Sequence, residues 1–252
     1  MSRVLITGGA SGIGLAIAQA FDKAEFQVWV TDVDATTLAA CPEHWQRSQV
    51  DVSDEPQMAT LFQEITHEWQ SLDVVCANAG IAGPTAKVED VGLSDWNTCL
   101  AITLGGAFLT AKYASPVMKQ AGRGVIILTS STAGQYGYPN RAPYAAAKWG
   151  VIGLMKTLAM ELGPHGIRTN AICPGAVEGP RMEGVLNREA RAKGMTRDEV
   201  YEGYASGTSL GAFVSADDIA NMAVFLASDG AKMVSGQVIA VDGHTVNPDP
   251  KV

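Results

Sequence analysis

The stretch VLITGGASGIG, residues 4–14, decides the fold of this 252-residue chain. Its first residues are apolar or β-branched and predict a buried strand, and an apolar repeat from Ile13 onward predicts a helix. Between them, Gly8, Gly12 and Gly14 give the spacing G-x-x-x-G-x-G. A glycine turn between a strand and a helix is typical of a pyrophosphate cradle, because backbone N–H groups and the helix dipole attract negative charge.

The same alternation of apolar runs and amphipathic stretches continues to the end of the chain. Near-continuous apolar strands separated by helices indicate a parallel sheet covered on both faces. We therefore predict one doubly wound α/β domain spanning residues 1–252. The predicted strands are Val4–Thr7, Val28–Thr31, a weaker run ending at Asp51, Leu72–Ala77, Val125–Ser130, Ile167–Cys173 and Val238–Val241.

Composition restricts the classes of partner. The net charge of −8 argues against a nucleic acid or an anionic membrane surface, since both attract basic proteins. No apolar run is long enough for a transmembrane helix, and glycines interrupt the N-terminus too early for a signal peptide. The four cysteines match no metal or disulfide pattern, which predicts reduced thiols in a cytoplasmic protein. The four histidines are scattered, so we expect no metal site.

An acidic residue follows the second predicted strand. Asp32 lies 18 residues after Gly14, where a carboxylate can accept both hydrogen bonds of an adenosine ribose diol and repel a 2′-phosphate. Its neighbours Thr31 and Val33 are uncharged, as is Ser11 in the glycine loop. The pattern favours NAD as the cofactor. The alternative is that Asp32 only starts a turn.

A tyrosine and a lysine stand four residues apart as Y-A-A-A-K. On a helix, Tyr144 and Lys148 share a face, and an ammonium beside a phenol lowers the pKa of that phenol. Such a tyrosine can act as general base on an alcohol or as general acid on a ketone. Ser131, at the predicted end of the fifth strand, could hold the substrate oxygen or could only cap the strand end.

Taken together, the ordered motifs resemble those of the short-chain dehydrogenase/reductase family, from Val4 to Gly243. The resemblance implies a Rossmann-type fold, a homotetramer and a Ser-Tyr-Lys mechanism in which Lys148 also holds the nicotinamide ribose. The motifs that carry it are TGGASGIG, Asp51-Val52, Asn78-Ala79-Gly80, Ser131, Tyr144, Lys148 and Cys173-Pro174-Gly175. The cofactor-binding residues that it implies are Gly8, Ser11, Gly12, Ile13, Gly14, Asp32, Asp51, Val52, Asn78, Ala79, Gly80, Tyr144, Lys148, Pro174, Gly175 and Val177.

Two positions depart from the family pattern. Thr103 stands where a fourth catalytic residue is usually asparagine, so the backbone carbonyl could still hold a water of the proton relay. Gly179, followed by Pro180, replaces a threonine that often contacts the cofactor carboxamide. We include Thr103 among the catalytic candidates and expect the threonine contact to be missing or replaced.

The polar segment from about Pro180 to Leu210 predicts a helical lid over the substrate. Arg181 is nearest to the cofactor loop, and its guanidinium could grip an anionic group of the substrate. Alternatively, Arg181 pairs with a neighbouring glutamate. Arg141 also falls on a segment that could border the substrate, and the alternative for both arginines is that they are solvated surface charges. The other candidates for the substrate pocket are Tyr136, Tyr138 and Tyr204.

These observations leave three hypotheses for function. The first is an NAD-dependent oxidoreductase for an alcohol/ketone pair, with a secondary alcohol or polyol favoured and an anionic hydroxy compound as a further option. The second is a 3-oxoacyl thioester reductase, which Asp32 and the acidic composition oppose. The third is a cofactor-binding regulator with impaired catalysis, suggested by Thr103 and Gly179 but opposed by the intact Ser131, Tyr144 and Lys148.

Overall fold

The computed structural model describes residues 1–248, except for the side chain of Arg181. In this part of the chain, seven parallel strands form one sheet in the order β3-β2-β1-β4-β5-β6-β7. The sequence prediction of a doubly wound, single-domain Rossmann-type fold is thereby confirmed. The strands are β1 (Arg3–Thr7), β2 (Gln27–Asp32), β3 (Gln46–Gln49), β4 (Val74–Ala77), β5 (Gly124–Thr129), β6 (Ile167–Pro174) and β7 (Val238–Val241).

Helices cover both faces of the sheet, which is why the central strands are buried on both sides. One large core packs α3, α5 and α6 against the sheet, and a second packs α1, α2 and α9 against the opposite face. The helices are α1 (Gly12–Lys23), α2 (Ala35–Ala39), α3 (Glu55–Trp69), α4 (Leu93–Leu100), α5 (Gly106–Ala121), α6 (Ala142–Leu162), α7 (Pro180–Lys193), α8 (Arg197–Ser206) and α9 (Ala216–Ala227).

Three of the strand ends that differ from the sequence prediction lie where polar side chains bind the backbone. The third strand ends at Gln49, and the Asp51 carboxylate accepts hydrogen bonds from the Ser53 amide (2.9 Å) and hydroxyl (2.7 Å). The fourth begins at Val74 rather than Leu72, after the Asp73 carboxylate has accepted a hydrogen bond from the Arg3 amide. The fifth ends at Thr129, and Ser131 caps a short 3₁₀ turn.

The sheet reverses its winding between β1 and β4, which are neighbours at its centre. Ligands of open α/β sheets bind at such a switch point, beyond the carboxyl ends of the strands. The loops after β1, β4, β5 and β6 all lie at this edge, and α7 and α8 follow the last of them. The topology therefore gathers the predicted motifs at one place.

Two further sequence expectations can be compared with the fold. The four cysteines are buried and free of disulfide bonds. Ser215 and Asp218 form a capping box at the start of α9. No helix within residues 1–248 has both the length and the apolar character needed to cross a bilayer.

Candidate active site

The glycine loop after β1 is shaped by close backbone approach. Gly8 has a φ of +61° and Gly12 a φ of +52°, in the left-handed region that favours glycine. A Cβ atom at Gly14 would overlap the Gly8 carbonyl oxygen and lie 2.7 Å from Asn78 Nδ2, whereas one at Gly12 would meet open space. The loop thus stays open above Gly12, at the N-terminus of α1, which is the geometry a pyrophosphate needs.

Asn78 ties this loop to two strands. Its Nδ2 atom donates a hydrogen bond to the Gly8 carbonyl (3.2 Å), and its Oδ1 atom accepts one from the Thr129 hydroxyl (3.2 Å). The Thr7 hydroxyl accepts the backbone N–H groups of Asn78 and Ala79. These bonds fix the loops after β1 and β4 relative to β5, so hydrogen bonds within the chain hold the cradle in shape.

The Asp32 carboxylate lies at the carboxyl end of β2, beside the glycine loop. It accepts long hydrogen bonds from the amides of Ala10 (3.4 Å) and Asp34 (3.3 Å). The carboxylate remains partly exposed and borders the same cavity as Gly12. Asp32 can therefore both stabilise the turn after β2 and face a ribose bound in the cavity.

One cavity of about 780 Å³ gathers the predicted site. All the cofactor-binding residues implied by the family resemblance line it, together with Ser131, Tyr138 and Tyr204. The groups at its Asp32 end are Gly8, Ser11, Gly12, Asp32 and Val33, none of them cationic. The cavity is also lined by residues that the sequence did not single out, among them Ile102, Thr129, Met182 and Val185.

The predicted catalytic pair lies on the first half of α6. Lys148 is buried, with its Nζ atom 5.7 Å from the centre of the Tyr144 ring and donating a hydrogen bond to the Thr129 carbonyl (2.7 Å). Ser131 Oγ accepts a hydrogen bond from the Ala133 amide (3.1 Å) and also borders the cavity. The structural role of Ser131 as a cap thus coexists with a position suited to a substrate oxygen.

Thr103 lies behind this site rather than on the cavity surface. It belongs to a π-helical turn, Ala101–Gly105, and is buried. Its hydroxyl accepts a hydrogen bond from the Ile81 amide (3.3 Å). A Cβ atom at Gly80 would lie 3.4 Å from Thr103 and 3.5 Å from Lys148 Nζ, so Gly80 separates the two side chains closely.

The other departure, Gly179, is the N-cap of α7. Its φ of +132° is accessible to glycine and strained for other residues, and space around it is open. A threonine there would be strained in this backbone. The chain therefore enters α7 through a glycine with positive φ, at the position where the family often has a threonine.

That segment folds as the predicted helical excursion. α7 and α8 have a small core of their own, with Leu186, Ala190 and Val200 buried. Met182 and Val185 of α7 line the cavity, so the segment covers the substrate end. The side chain of Arg181, in the first turn of α7, lies outside the described residues, and both readings of it stay predictions.

The three candidate substrate tyrosines differ in whether they border the cavity. The hydroxyl of Tyr138 lies 2.9 Å from that of Thr132, and burial raises the pKa of Tyr138 to about 12. Tyr204 donates to Glu189 (2.8 Å), and burial together with this carboxylate raises the pKa of Tyr204. Tyr136 instead points its hydroxyl towards the Thr245 carbonyl (3.4 Å) and does not border the cavity.

Arg141 contradicts its sequence interpretation as a solvated surface charge. It is only 7% exposed, lines the cavity, and has its guanidinium carbon 4.9 Å from the centre of the Tyr144 ring. Arg141 Nη1 lies 3.8 Å from Glu189 Oε1, so Arg141 lies beside α7. Its position three residues before Tyr144 was the available signal, but burial depends on a helix 40 residues further along the chain.

Comparison with known proteins extends over nearly the whole chain. A family described as enoyl-(acyl carrier protein) reductase matches residues 8–244. The chain is 36% identical to (+)-borneol dehydrogenase 1 of Salvia officinalis, covering 97% of this chain and 94% of that protein. It is 32% identical to D-beta-hydroxybutyrate dehydrogenase of Rhizobium meliloti (strain 1021), covering 95% and 96%.

Solved structures share the architecture. An NAD⁺-bound xylitol dehydrogenase superposes with a TM-score of 0.93 at 25% identity, covering 96% of this chain and 98% of that one. The coverage and TM-score show that the two chains share the same overall fold.

Proposed function

The chain belongs to the short-chain dehydrogenase/reductase family and is an oxidoreductase acting on CH–OH groups; from this premise we propose that it is an NAD-dependent dehydrogenase for a secondary alcohol and its ketone. The observation that carries the proposal is the single cavity that Asp32, the glycine loop, Ser131, Tyr144 and Lys148 share.

The proposed chemistry uses side chains that lie at the β5–α6 end of the cavity. Ser131 and Tyr144 hold the carbinol oxygen, and Tyr144 takes its proton in oxidation or returns it in reduction. Lys148 stabilises the phenolate by its charge. The nicotinamide, when bound, accepts or supplies the hydride. Thr103, held away from the cavity surface, contributes through its backbone.

The first test replaces the proposed acid/base. Tyr144→Phe removes the titrating hydroxyl, so NAD should still bind while kcat falls about 10²-fold or more. The assay is NAD reduction over polyols, hydroxy acids, hydroxysulfonates and cyclic alcohols. Tyr136→Phe is the matched control, since Tyr136 does not border the cavity, and should retain wild-type kcat. Turnover of Tyr144→Phe within a few-fold of wild type would contradict the assignment.

NAD is the proposed cofactor because Asp32 occupies the end of the cavity that has no cation in its described lining. A carboxylate facing a 2′-phosphate costs free energy by like-charge repulsion. We expect kcat/KM to favour NAD over NADP by about tenfold or more, a difference of about 1.4 kcal/mol. Asp32→Ser should remove most of this preference.

Asp34→Ser is the control for cofactor choice. Asp34 lies two residues further on and caps α2 by accepting from the Thr36 amide (2.8 Å). Its replacement should alter local stability and leave the NAD/NADP ratio unchanged. Equal use of NAD and NADP by the wild type would refute the ribose role of Asp32.

The two alternative functions make different predictions. A thioester reductase, as the name of the 33% identical 3-oxoacyl-[acyl-carrier-protein] reductase of Thermotoga maritima suggests, would reduce a 3-oxoacyl thioester with NADPH in preference to NADH. A cofactor-binding regulator would bind NAD and show no turnover with any alcohol. The chain's acidic charge and Asp32 oppose the first, and the shared cavity of Ser131, Tyr144 and Lys148 opposes the second.

We also propose a homotetramer in the cytoplasm. Large apolar side chains on α5 and α6 are exposed in the single chain, among them Phe108, Trp149 and Met160, and faces of this kind are typical of subunit interfaces. Four buried cysteines without a disulfide bond are compatible with a reducing compartment. Light scattering after gel filtration should give about four times the chain mass of 26.4 kDa.

A further inference from the structure

Arg141 is a buried cation beside the proposed acid/base. It is the N-cap residue of α6, three residues before Tyr144, and its guanidinium lies against the Tyr144 ring at 4.9 Å. It borders the same cavity as Ser131, at the end covered by α7. A group bound by Arg141 would therefore lie close to the carbinol oxygen with which Tyr144 exchanges a proton.

The guanidinium has more donors than partners among the described residues. It carries five N–H donors. One hydrogen bond is formed, from Nη2 to the Ala82 carbonyl (3.2 Å), and Nε is buried with no partner in this part of the chain. A buried charge with few hydrogen bonds is costly, so a structure that retains one indicates a further ligand.

The nearest carboxylate does not satisfy this need. Glu189 Oε1 lies 3.8 Å from Arg141 Nη1, beyond hydrogen-bond distance. Glu189 is itself shared, since it accepts from the Tyr204 hydroxyl (2.8 Å) and lies 3.6 Å from Lys193 Nζ. Because this pairing is loose, Glu189 offsets the charge of Arg141 without occupying its paired N–H groups.

The surroundings would strengthen an added ion pair. Met182 and Val185 contribute apolar surface to this end of the cavity, which lowers the local dielectric. The Asp242 carboxylate is engaged by the amides of His244 (3.0 Å) and Thr245 (3.0 Å). Glu178 also lines the cavity, next to the Pro174–Gly175 turn, and its charge would oppose a bound anion rather than strengthen the pair.

We propose that Arg141 binds a carboxylate, or a closely similar anionic group, of the substrate through paired N–H donors. The inference rests on the proposed function and narrows it: the substrate is a hydroxy acid or keto acid whose anionic group lies a few bonds from the reacting carbon. Planar carboxylates match the guanidinium fork, and such charge-assisted bonds exceed neutral ones in strength.

The first experiment compares acids with their amides. Purified enzyme saturated with NAD is assayed on 3-hydroxybutanoate against 3-hydroxybutanamide, and on 4-hydroxycyclohexanecarboxylate against its amide. We expect kcat/KM of the wild type to favour at least one acid by about tenfold or more. Arg141→Gln should reduce that ratio to about one, and Arg141→Lys should keep part of it.

The second variant separates binding from scaffolding. Glu189→Gln removes the competing carboxylate and can still accept from Tyr204, so it should leave the preference for acids unchanged or increase it. If Arg141 only supports α7, Arg141→Gln and Glu189→Gln would both lower acid and amide turnover in parallel, which would overturn the inference. Arg181→Ala in the same assay tests the other arginine.

A binding measurement keeps this inference distinct from the proposed function. Butanoate and butanamide are titrated into the NADH-bound enzyme by calorimetry, with melting temperatures recorded for each variant. Wild-type turnover of neutral alcohols without preference for acids, and no butanoate binding, would reject the role of Arg141 and keep the dehydrogenase. Butanoate binding that Arg141→Gln abolishes, with no turnover on any alcohol, would support Arg141 and reject the proposed chemistry.

Discussion

The part of the chain that carries the glycine loop, β4 and α6, here called the cofactor half, is stabilised differently from the α7–α8 segment. Two large cores hold the glycine loop, β4 and α6 in place, and interlocking backbone contacts shape the cradle. The α7–α8 segment has a core of three buried residues, and its two helices are joined by the exposed pair of Arg197 and Glu183 and by the part-buried hydrogen bond from Tyr204 to Glu189. One region is rigid through burial, and the other is attached by little surface.

This difference assigns different tasks to the two regions. Exposed ion pairs contribute about 0–1 kcal/mol each, so the Arg197–Glu183 pair adds little to the stability of the α7–α8 segment. Regions with few buried contacts open at lower free energy than the global unfolding reaction. We therefore expect the cofactor half to bind without rearrangement, while α7–α8 opens to admit substrate, as a lid does.

The substitution that we expect to disturb the rigid region most is at Gly14. Gly14→Ala forces a methyl group into the Gly8 carbonyl, and overpacking of this kind costs about 3 kcal/mol. NAD affinity should fall about 100-fold or more, because the loop can no longer close. The measurement is a titration of NAD by calorimetry alongside urea unfolding.

Gly12→Ala is the companion variant. It has open space but a φ of +52°, so we expect a stability loss of about 1–2 kcal/mol from backbone strain alone. Equal stability losses for the two glycine variants would show that close approach is not what shapes the cradle.

Two fully buried leucines compare the regions directly. Leu5 lies in β1 and Leu186 in α7, and both have no exposed surface. Leu5→Ala should cost about 2–5 kcal/mol of global stability. Leu186→Ala should leave global unfolding nearly unchanged and raise the substrate KM about fivefold, with NAD affinity retained. A global loss for Leu186→Ala as large as that for Leu5→Ala would show that α7 is part of the main core.

The smallest expected effect is at Thr103, behind the rigid site. Thr103→Ala removes the acceptor of the Ile81 amide and keeps the backbone carbonyl, so kcat should fall less than about tenfold. Thr103→Ser, which restores the hydroxyl, should recover the loss. A decrease as large as that of Tyr144→Phe would show that the threonine hydroxyl enters the mechanism.

The sequence predicted the site where the motif and the fold are local. Gly8, Gly12 and Gly14 mark a strand-turn-helix within one short stretch, and Tyr144 and Lys148 share a face because a helix repeats every 3.6 residues. Parallel topology then brings strand ends to one edge, so Asp32, Asn78 and Ser131 could be expected there as well.

Tertiary packing decided the rest. Tyr136 and Tyr138 are two residues apart, yet Tyr138 borders the cavity and Tyr136 turns towards Thr245, more than 100 residues away along the chain. Arg141 is buried and lies 3.8 Å from Glu189 of α7, although its own segment of sequence does not show that it is buried. The sequence by itself determined the sheet, the glycine turn after the first strand and the shared helix face of Tyr144 and Lys148, since short-range patterns encode them. Which side chains surround the substrate depended on contacts between distant segments, and those form only when the chain is folded.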